Sequence, residues 1–285
     1  MKIARHLITG DPILVAPDRA ARPHAFGPDG ETELCPFCAG NESLTPPEVA
    51  RVEREGSWLA RAFPNKYPAA EVHEVIVESP EHEATFDRIV DATAVVDLYV
   101  DRYLSLASQS ETVCLFKNHG PTAGASLEHL HSQIVGVPFT PPRIAREAAA
   151  FAAADACPLC EAIDTHRAEG LMIDENDSFA WLAPSSSRMA NEQWLVPKRH
   201  QHEMATLRDA EIADLASLLQ ACARAMHELA PSYNWLFLNF PRAERAHLYV
   251  EAFPRRTTIA GFELATGTFI EVIEPAETAR IIRKS

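Results

Sequence analysis

Two copies of one pattern, Cys35-Pro-Phe-Cys38 and Cys157-Pro-Leu-Cys160, punctuate a chain of 285 residues. The segments downstream of the two copies are also alike. A strand-like run comes first, HEVIVES (73–79) and NEQWLVP (191–197). A histidine comes after it, His82 in ESPEH and His200 in PKRH. Helical spacing comes next: Ile89, Ala92, Val96, Tyr99, Tyr103 and Leu106 in one half, Ile212, Leu215, Leu219, Cys222, Met226 and Leu229 in the other. Each half then has a strand ending near Asn, TVCLFKN (112–118) and WLFLNF (235–240), and a last strand carrying histidine, HLHSQIVGVP (129–138) and HLYVEAFP (247–254). The chain therefore reads as a diverged duplication. Each half is expected to be α+β, an antiparallel sheet with one long helix packed on a face. The boundary falls in FTPPRIAREAAAFAAADA (139–156), whose prolines break structure and whose Ala-rich part is expected to be a linking helix. This divides the chain into residues 1–145 and 146–285.

Paired C-x-x-C in a chain expected to be cytoplasmic suggests zinc or redox chemistry rather than structural disulfides. The N-terminal MKIARHLITGDPILVAPDR lacks a long apolar stretch, and no apolar run approaches the ~20 residues of a spanning helix. The chain is expected to be cytoplasmic, with no membrane partner. A net charge of −14 argues against nucleic-acid binding, which needs a basic face, but leaves room for a small anion in a locally basic pocket.

Zinc takes four nitrogen or sulfur ligands in a tetrahedron, and a closed set is structural. Cys35 and Cys38 supply one clamp, which His82 and His129 could complete; His73 competes with His82. The matching set is Cys157, Cys160, His200 and His247, with His202 competing with His200. In both halves the two histidines are 47 residues apart. Cys114 and Cys222 stand in apolar surroundings as expected buried thiols. His6, His24, His166 and His227 lie outside the duplicated pattern.

His129, His131 and Gln133 alternate, so on a regular strand they share a face. One histidine can then hold metal while its neighbour meets a ligand. A neutral imidazole whose other nitrogen donates to a backbone carbonyl is a good nucleophile toward phosphorus. An amide two residues on can donate to a phosphoryl oxygen as charge builds there. Ser126 and the backbone at Gly124 are further donors for a phosphate.

At CPFCAGNESLTPPEV, RAFPNKYPAA, NHGPTAGASLEHLHSQIVG and AGFELATG the chain resembles the galactose-1-phosphate uridylyltransferase family, a branch of the histidine-triad superfamily. HLYVEAFPRRTTIAGFELATG is similar to a motif of its ADP-glucose phosphorylase branch, the nearer match in pattern. The resemblance implies two histidine-triad-like halves and a nucleotidyltransferase. His129 would be a structural zinc ligand, and His131 would attack the α-phosphorus of a nucleotide sugar. A nucleotidyl-histidine would form and pass its nucleotidyl group to a second phosphate, a ping-pong reaction. Gln133 matches the glutamine that stabilises this intermediate, where hydrolytic relatives usually carry His. Arg19 and Arg22 match arginines near the nucleotide and phosphates, and Asn65 matches a nucleotide-contacting Asn. Asn118 and Ser126 match polar groups around the phosphates. Phe262 and Glu263 match the segment that meets the hexose. The implied partners are a nucleotide sugar with phosphate or a sugar 1-phosphate, and a homodimer. The implied cofactor is zinc at two sites.

The departures narrow the expectation. The uridylyltransferases often use H-P-H where this chain has His129-Leu130-His131, and Phe269 falls at the place of a sugar-contacting glutamine. The second half has HLY and so no second nucleophile. A sugar 1-phosphate acceptor makes a uridylyltransferase, inorganic phosphate makes a phosphorylase, and water makes a hydrolase, which Gln133 counts against. A zinc-stapled nucleotide-binding protein without turnover is the rival of another class; it has no need of His131.

Overall fold

The computed structural model describes residues 2–22 and 34–284; His24 lies outside them. A hairpin of β1 (Lys2–Arg5) and β2 (Pro12–Val15) precedes the main body. The first half then contributes β3 (Ala50–Arg54), β4 (Ser57–Pro64), β5 (Val72–Val77), α1 (Ala92–Ala107), β6 (Thr112–His119) and β7 (His131–Val137). The linker forms α2 (Pro142–Ala153). The second half adds α3 (Pro158–Glu169), β8 (Met172–Glu175), β9 (Phe179–Leu182), β10 (Gln193–Pro197), α4 (Asp209–Leu229), β11 (Tyr233–Leu238) and β12 (Tyr249–Pro254). Two short helices close the chain, α5 (Gly261–Thr266) and α6 (Pro275–Ile282).

The expected α+β halves are present, but they do not form separate sheets. All ten strands β3 to β12 make one antiparallel sheet in the order β3-β4-β5-β7-β6-β11-β12-β10-β9-β8. That order is a palindrome: each half's strands appear in mirror sequence about the β6–β11 seam. The seam pairs His119 with Tyr233, Asn118 with Asn234 and Lys117 with Trp235. Neither half then has to cap a raw strand edge at the centre of the molecule, where unpaired N–H and C=O groups would be costly.

Alternation sets the two faces. Val113, Leu115, Ile134, Trp235, Phe237, Val250 and Ala252 point to one side, where α1 and α4 lie together over the seam and complete the main core. Full burial of one such side chain contributes roughly 1.5–3 kcal/mol. The helix spacing read from residue 89 starts helix only at Ala92, because the Asp91 carboxylate accepts the Ala94 N–H (3.0 Å) and caps the first turn. The opposite face carries no long helix in the first half among the described residues. In the second half α2 and α3 cover it, packing Ile144, Leu159 and Ile163 on Leu182, Val196 and Tyr249. No helix is long and apolar enough to cross a membrane among the described residues.

Candidate active site and metal centres

Cys35, Cys38, His82 and His129 converge so that one ligand atom from each lies within 4.8 Å of the others, and Cys157, Cys160, His200 and His247 do the same. Cys38 Sγ is 3.4 Å from His82 Nδ1 and 3.6 Å from His129 Nδ1; Cys157 Sγ is 3.4 Å from His247 Nδ1. The far ring nitrogens are engaged by backbone carbonyls. His129 Nε2 donates to Ser79 O (2.7 Å), His247 Nε2 to Pro197 O (2.9 Å) and His200 Nε2 to Glu244 O (3.1 Å). This fixes Nδ1 as the free lone pair, which is how a metal-binding imidazole is oriented. Without a cation, burial and the neighbouring Cys35 push the Cys38 thiol up to about 11, and burial with Cys157 does the same for Cys160. Two thiols so disposed become thiolates when a dication sits beside them. The donor sets therefore fit metal ions. His73 and His202, the rival ligands by sequence, lie in neither cluster.

His129 does not share the strand with His131. The strand begins at His131, which pairs with Val77, and the chain bends at His129 just before it; Leu130 still turns into the helix-side core, so His129 and His131 keep a common face, both edge-on to Phe37. The bend turns the His129 carbonyl onto the next histidine: His131 Nδ1 donates to it at 2.7 Å. His131 Nε2 then holds the lone pair, with no hydrogen-bond partner among the described residues. Burial pulls His131 down to about 4, the hydrogen bond to His129 O opposing, so the imidazole is neutral near pH 7.

Gln133 lies on the same face as His131, two residues along β7, and its Oε1 is 3.1 Å from His73 Nε2. His73, on β5, also takes the Ala69 N–H on Nδ1 (2.9 Å) and lies 3.1 Å from Asn65 Nδ2. Asn65 Oδ1 accepts the Tyr67 N–H (2.8 Å). Arg19 reaches Tyr67 O (2.6 Å) and Arg22 reaches Gly124 O (3.1 Å), so both arginines border this cleft. Burial and Arg19 together lower the Arg22 pKa.

The 120–130 loop roofs the site. Gly120 has φ +79°, and a Cβ there would lie 2.2 Å from Ser232 Oγ and 2.8 Å from Pro231 O, so only glycine lets the loop start so close to β11. Gly124 has φ +87°, and its Cβ position is 3.9 Å from Asn118 Nδ2. Ser126 is buried in this loop. Phe262 and Glu263 are not gathered here. They sit on exposed α5, where the Glu263 carboxylate accepts the Ala260 N–H (3.0 Å), and no hydrogen bond joins them to the residues around His131 among those described.

Several supporting residues escape a reading of the sequence. Asn234, across the seam, donates to Asn118 Oδ1 (2.8 Å) and Ala123 O (3.1 Å), and Arg255 donates to Thr122 O (3.2 Å). On the helix side Lys117 donates to His131 O (3.0 Å) and pairs with Glu78, both fully buried. Tyr99 of α1 donates to Glu78 and contacts Ser132 Oγ (2.9 Å). Strand parity was the available signal: Lys117 follows Val113 and Leu115 on the inward side, and a charge there needs a buried partner.

A buried neutral imidazole with a free lone pair, an amide on the same face and arginines at the rim form an arrangement whose chemistry suits attack on a phosphorylated ligand. The duplicated sheet carrying it is that of the uridylyltransferase fold. Residues 73–284 match the family described as "Domain of unknown function (DUF4921)", and the chain belongs to it. The chain is 28% identical to the ADP-glucose phosphorylase of Arabidopsis thaliana, over 97% of this chain and 91% of that protein. It is 26% identical to the galactose-1-phosphate uridylyltransferase of Thermotoga maritima, over 88% and 89%. Among solved structures, an Arabidopsis ADP-glucose phosphorylase with bound ADP-glucose superposes with a TM-score of 0.80 at 26% identity, covering 100% of this chain and 99% of that one. A uridylyltransferase mutant superposes with 0.83 at 25% identity, covering 100% and 97%. The protein is an ADP-glucose phosphorylase-like member of the galactose-1-phosphate uridylyltransferase family and an enzyme of its nucleotidyl-transferring type.

Proposed function

We propose that the protein transfers a nucleotidyl group from a nucleoside-diphosphate sugar to a sugar 1-phosphate through a nucleotidyl-His131 intermediate. The observation that carries the reading is the His131 Nδ1 bond to the His129 carbonyl at 2.7 Å, which leaves Nε2 as an uncharged nucleophile. Nε2 attacks the α-phosphorus; the bond from that phosphorus to the oxygen bridging the β-phosphate breaks, and sugar 1-phosphate leaves. A phosphate oxygen of the acceptor then attacks the same phosphorus and the P–N bond breaks, returning the imidazole. Gln133, Asn118 and Ser126 donate to phosphoryl oxygens. Arg19, Arg22 and Asn65 hold the nucleotide and its phosphates, with Gly124 shaping the loop. Phe262 and Glu263 meet the sugar, in a homodimer from the neighbouring subunit.

Zinc at the Cys35, Cys38, His82, His129 cluster, and at Cys157, Cys160, His200, His247, supplies structural cross-linking. In the first cluster, holding the His129 ring also holds its carbonyl, and so the tautomer of His131. Residues 1–145 then form the catalytic half and 146–285 the half that supports it, and the enzyme works in the cytoplasm.

A second reading, a phosphorylase with inorganic phosphate as acceptor, is favoured by Phe269 at the place of a sugar-contacting glutamine and by the 28% match to ADP-glucose phosphorylase. Intact-protein mass spectrometry after mixing with UDP-glucose or ADP-glucose alone tests both. One nucleoside monophosphate is expected on the wild-type chain and none on His131→Ala. Discharge by sugar 1-phosphate supports transfer, and discharge by phosphate alone the phosphorylase. No label from either donor overturns both.

A further inference from the structure

We propose that His73 is a positioning residue, one that fixes which end of the Gln133 amide faces the reacting phosphorus. The inference rests on the nucleotidyl-histidine reading above. A neutral imidazole has one N–H and one lone pair. The Ala69 backbone N–H can only donate, and it lies 2.9 Å from His73 Nδ1. Nδ1 therefore carries the lone pair and Nε2 the proton. Nε2–H in turn requires an acceptor, which Gln133 Oε1 supplies at 3.1 Å.

The chain of assignments starts from a main-chain group, so it does not depend on how the side-chain amide is drawn. Flipping the Gln133 amide would set its NH2 against Nε2–H, two donors with no acceptor between them, in a place where His73 and Gln133 are both buried. Asn65 cannot take over as acceptor: its Oδ1 is already held by the Tyr67 N–H at 2.8 Å, which leaves its Nδ2, another donor, 3.1 Å from the same Nε2 and makes Gln133 Oε1 the acceptor within reach. The result is a glutamine whose oxygen is occupied from behind. Its NH2 has no partner among the described residues, on the strand face that presents His131. Such an amide can only donate to what His131 attacks, which is what a phosphoryl group gaining negative charge requires. His73 lies on β5, diagonal to Gln133 across the Val75–Gln133 pair, so the sheet register itself sets the separation.

The test is a double-mutant cycle on the full chain, reading the single-turnover rate of nucleotidyl labelling of His131 with the donor that labels the wild type. Gln133→Ala is expected to slow labelling about a hundredfold, as loss of one oriented donor does. His73→Leu is expected to slow it roughly tenfold, the scale of one misdirected hydrogen bond. In the Gln133→Ala background, His73→Leu should have no further effect. His73→Gln, which keeps an N–H donor, should stay within about threefold of wild type. Metal content and nucleotide-sugar Kd should be unchanged throughout. If His73→Leu does not fold, His73→Asn, whose amide is too short to reach Gln133, takes its place in the cycle. An equal slowing in both backgrounds, or none in the wild-type background, overturns the inference while leaving the nucleotidyl-histidine in place. A wild-type chain that takes no label overturns both.

Discussion

Counted from their metal-cluster histidines, Tyr249 and Glu251 occupy in the second half the strand positions that His131 and Gln133 occupy in the first. The clusters themselves are alike, down to the backbone carbonyl behind each buried histidine. The faces beside them differ completely. Tyr249 donates to Glu147 of α2 (2.9 Å), and Arg143 of the same helix pairs with Glu251. Glu192, beside this group on the approach to β10, is held by the N–H groups of Arg188 (2.7 Å) and Met189 (3.1 Å) and by Trp194 Nε1 (2.8 Å). Burial and Glu251 push Glu192 up to about 7. One half thus leaves a buried lone pair without a partner among the described residues, and the other has these polar groups matched beneath a helix. The Cys2His2 clusters have the same form in both halves, so they do not by themselves set the two faces apart. What differs is the side chain two residues on, and what covers it.

Removing a metal ligand should break the comparison most strongly. Cys35→Ser and Cys157→Ser are each expected to lose one bound metal per chain and about 3 kcal/mol or more of stability, measured by elemental analysis and thermal unfolding. Only Cys35→Ser should also slow labelling of His131 by more than about tenfold, because that cluster holds the carbonyl that sets the nucleophile's tautomer. Equal labelling losses in both variants would mean the two clusters are not divided in this way.

Acidification offers a smaller and graded effect. The His131 pKa is depressed to about 4 by burial, so the attacking form is the one present above that value. The labelling rate should be level from about pH 8 to about pH 5 and fall roughly tenfold per unit below about pH 4. A fall beginning near about pH 6.5, the ordinary value for histidine, would show that His131 is solvated during reaction.

The sharpest test predicts no effect at all. Tyr249→His restores the H-x-H spacing in the second half, yet the label should remain at one per chain, because α2 still closes that face. A second label, mapped to position 249, would show that the covering helix is not the deciding difference.

Much of this is legible in the sequence because duplication repeats its own spacing. Two C-P-x-C clamps, two histidines 47 residues apart and two helical periods predict both metal sets and both long helices. His73 stands as a rival metal ligand in the sequence because histidine spacing cannot say which of two nearby imidazoles turns toward the sulfurs. Strand parity decides that: His73 faces Gln133, while His82 lies past the strand and reaches Cys38. The shared face expected for His129 and His131 is present although the strand starts only at His131: Leu130 between them packs in the helix-side core, and both imidazoles lie edge-on to Phe37.

By itself the sequence determined the α+β halves, the two C-x-x-C clamps with their candidate histidines, and the candidate nucleophile, since these rest on local periodicity and on residue types with few other uses. Only the tertiary structure decided that ten strands form one sheet and that Asn234 and Arg255 brace the 120–130 loop from the other half. It also decided that Lys117 and Glu78 pair in the core behind His131. Those relations join residues tens to over a hundred positions apart, and their energies come from burial and from the removal of alternative partners. Such terms exist only once the chain has excluded water from between them.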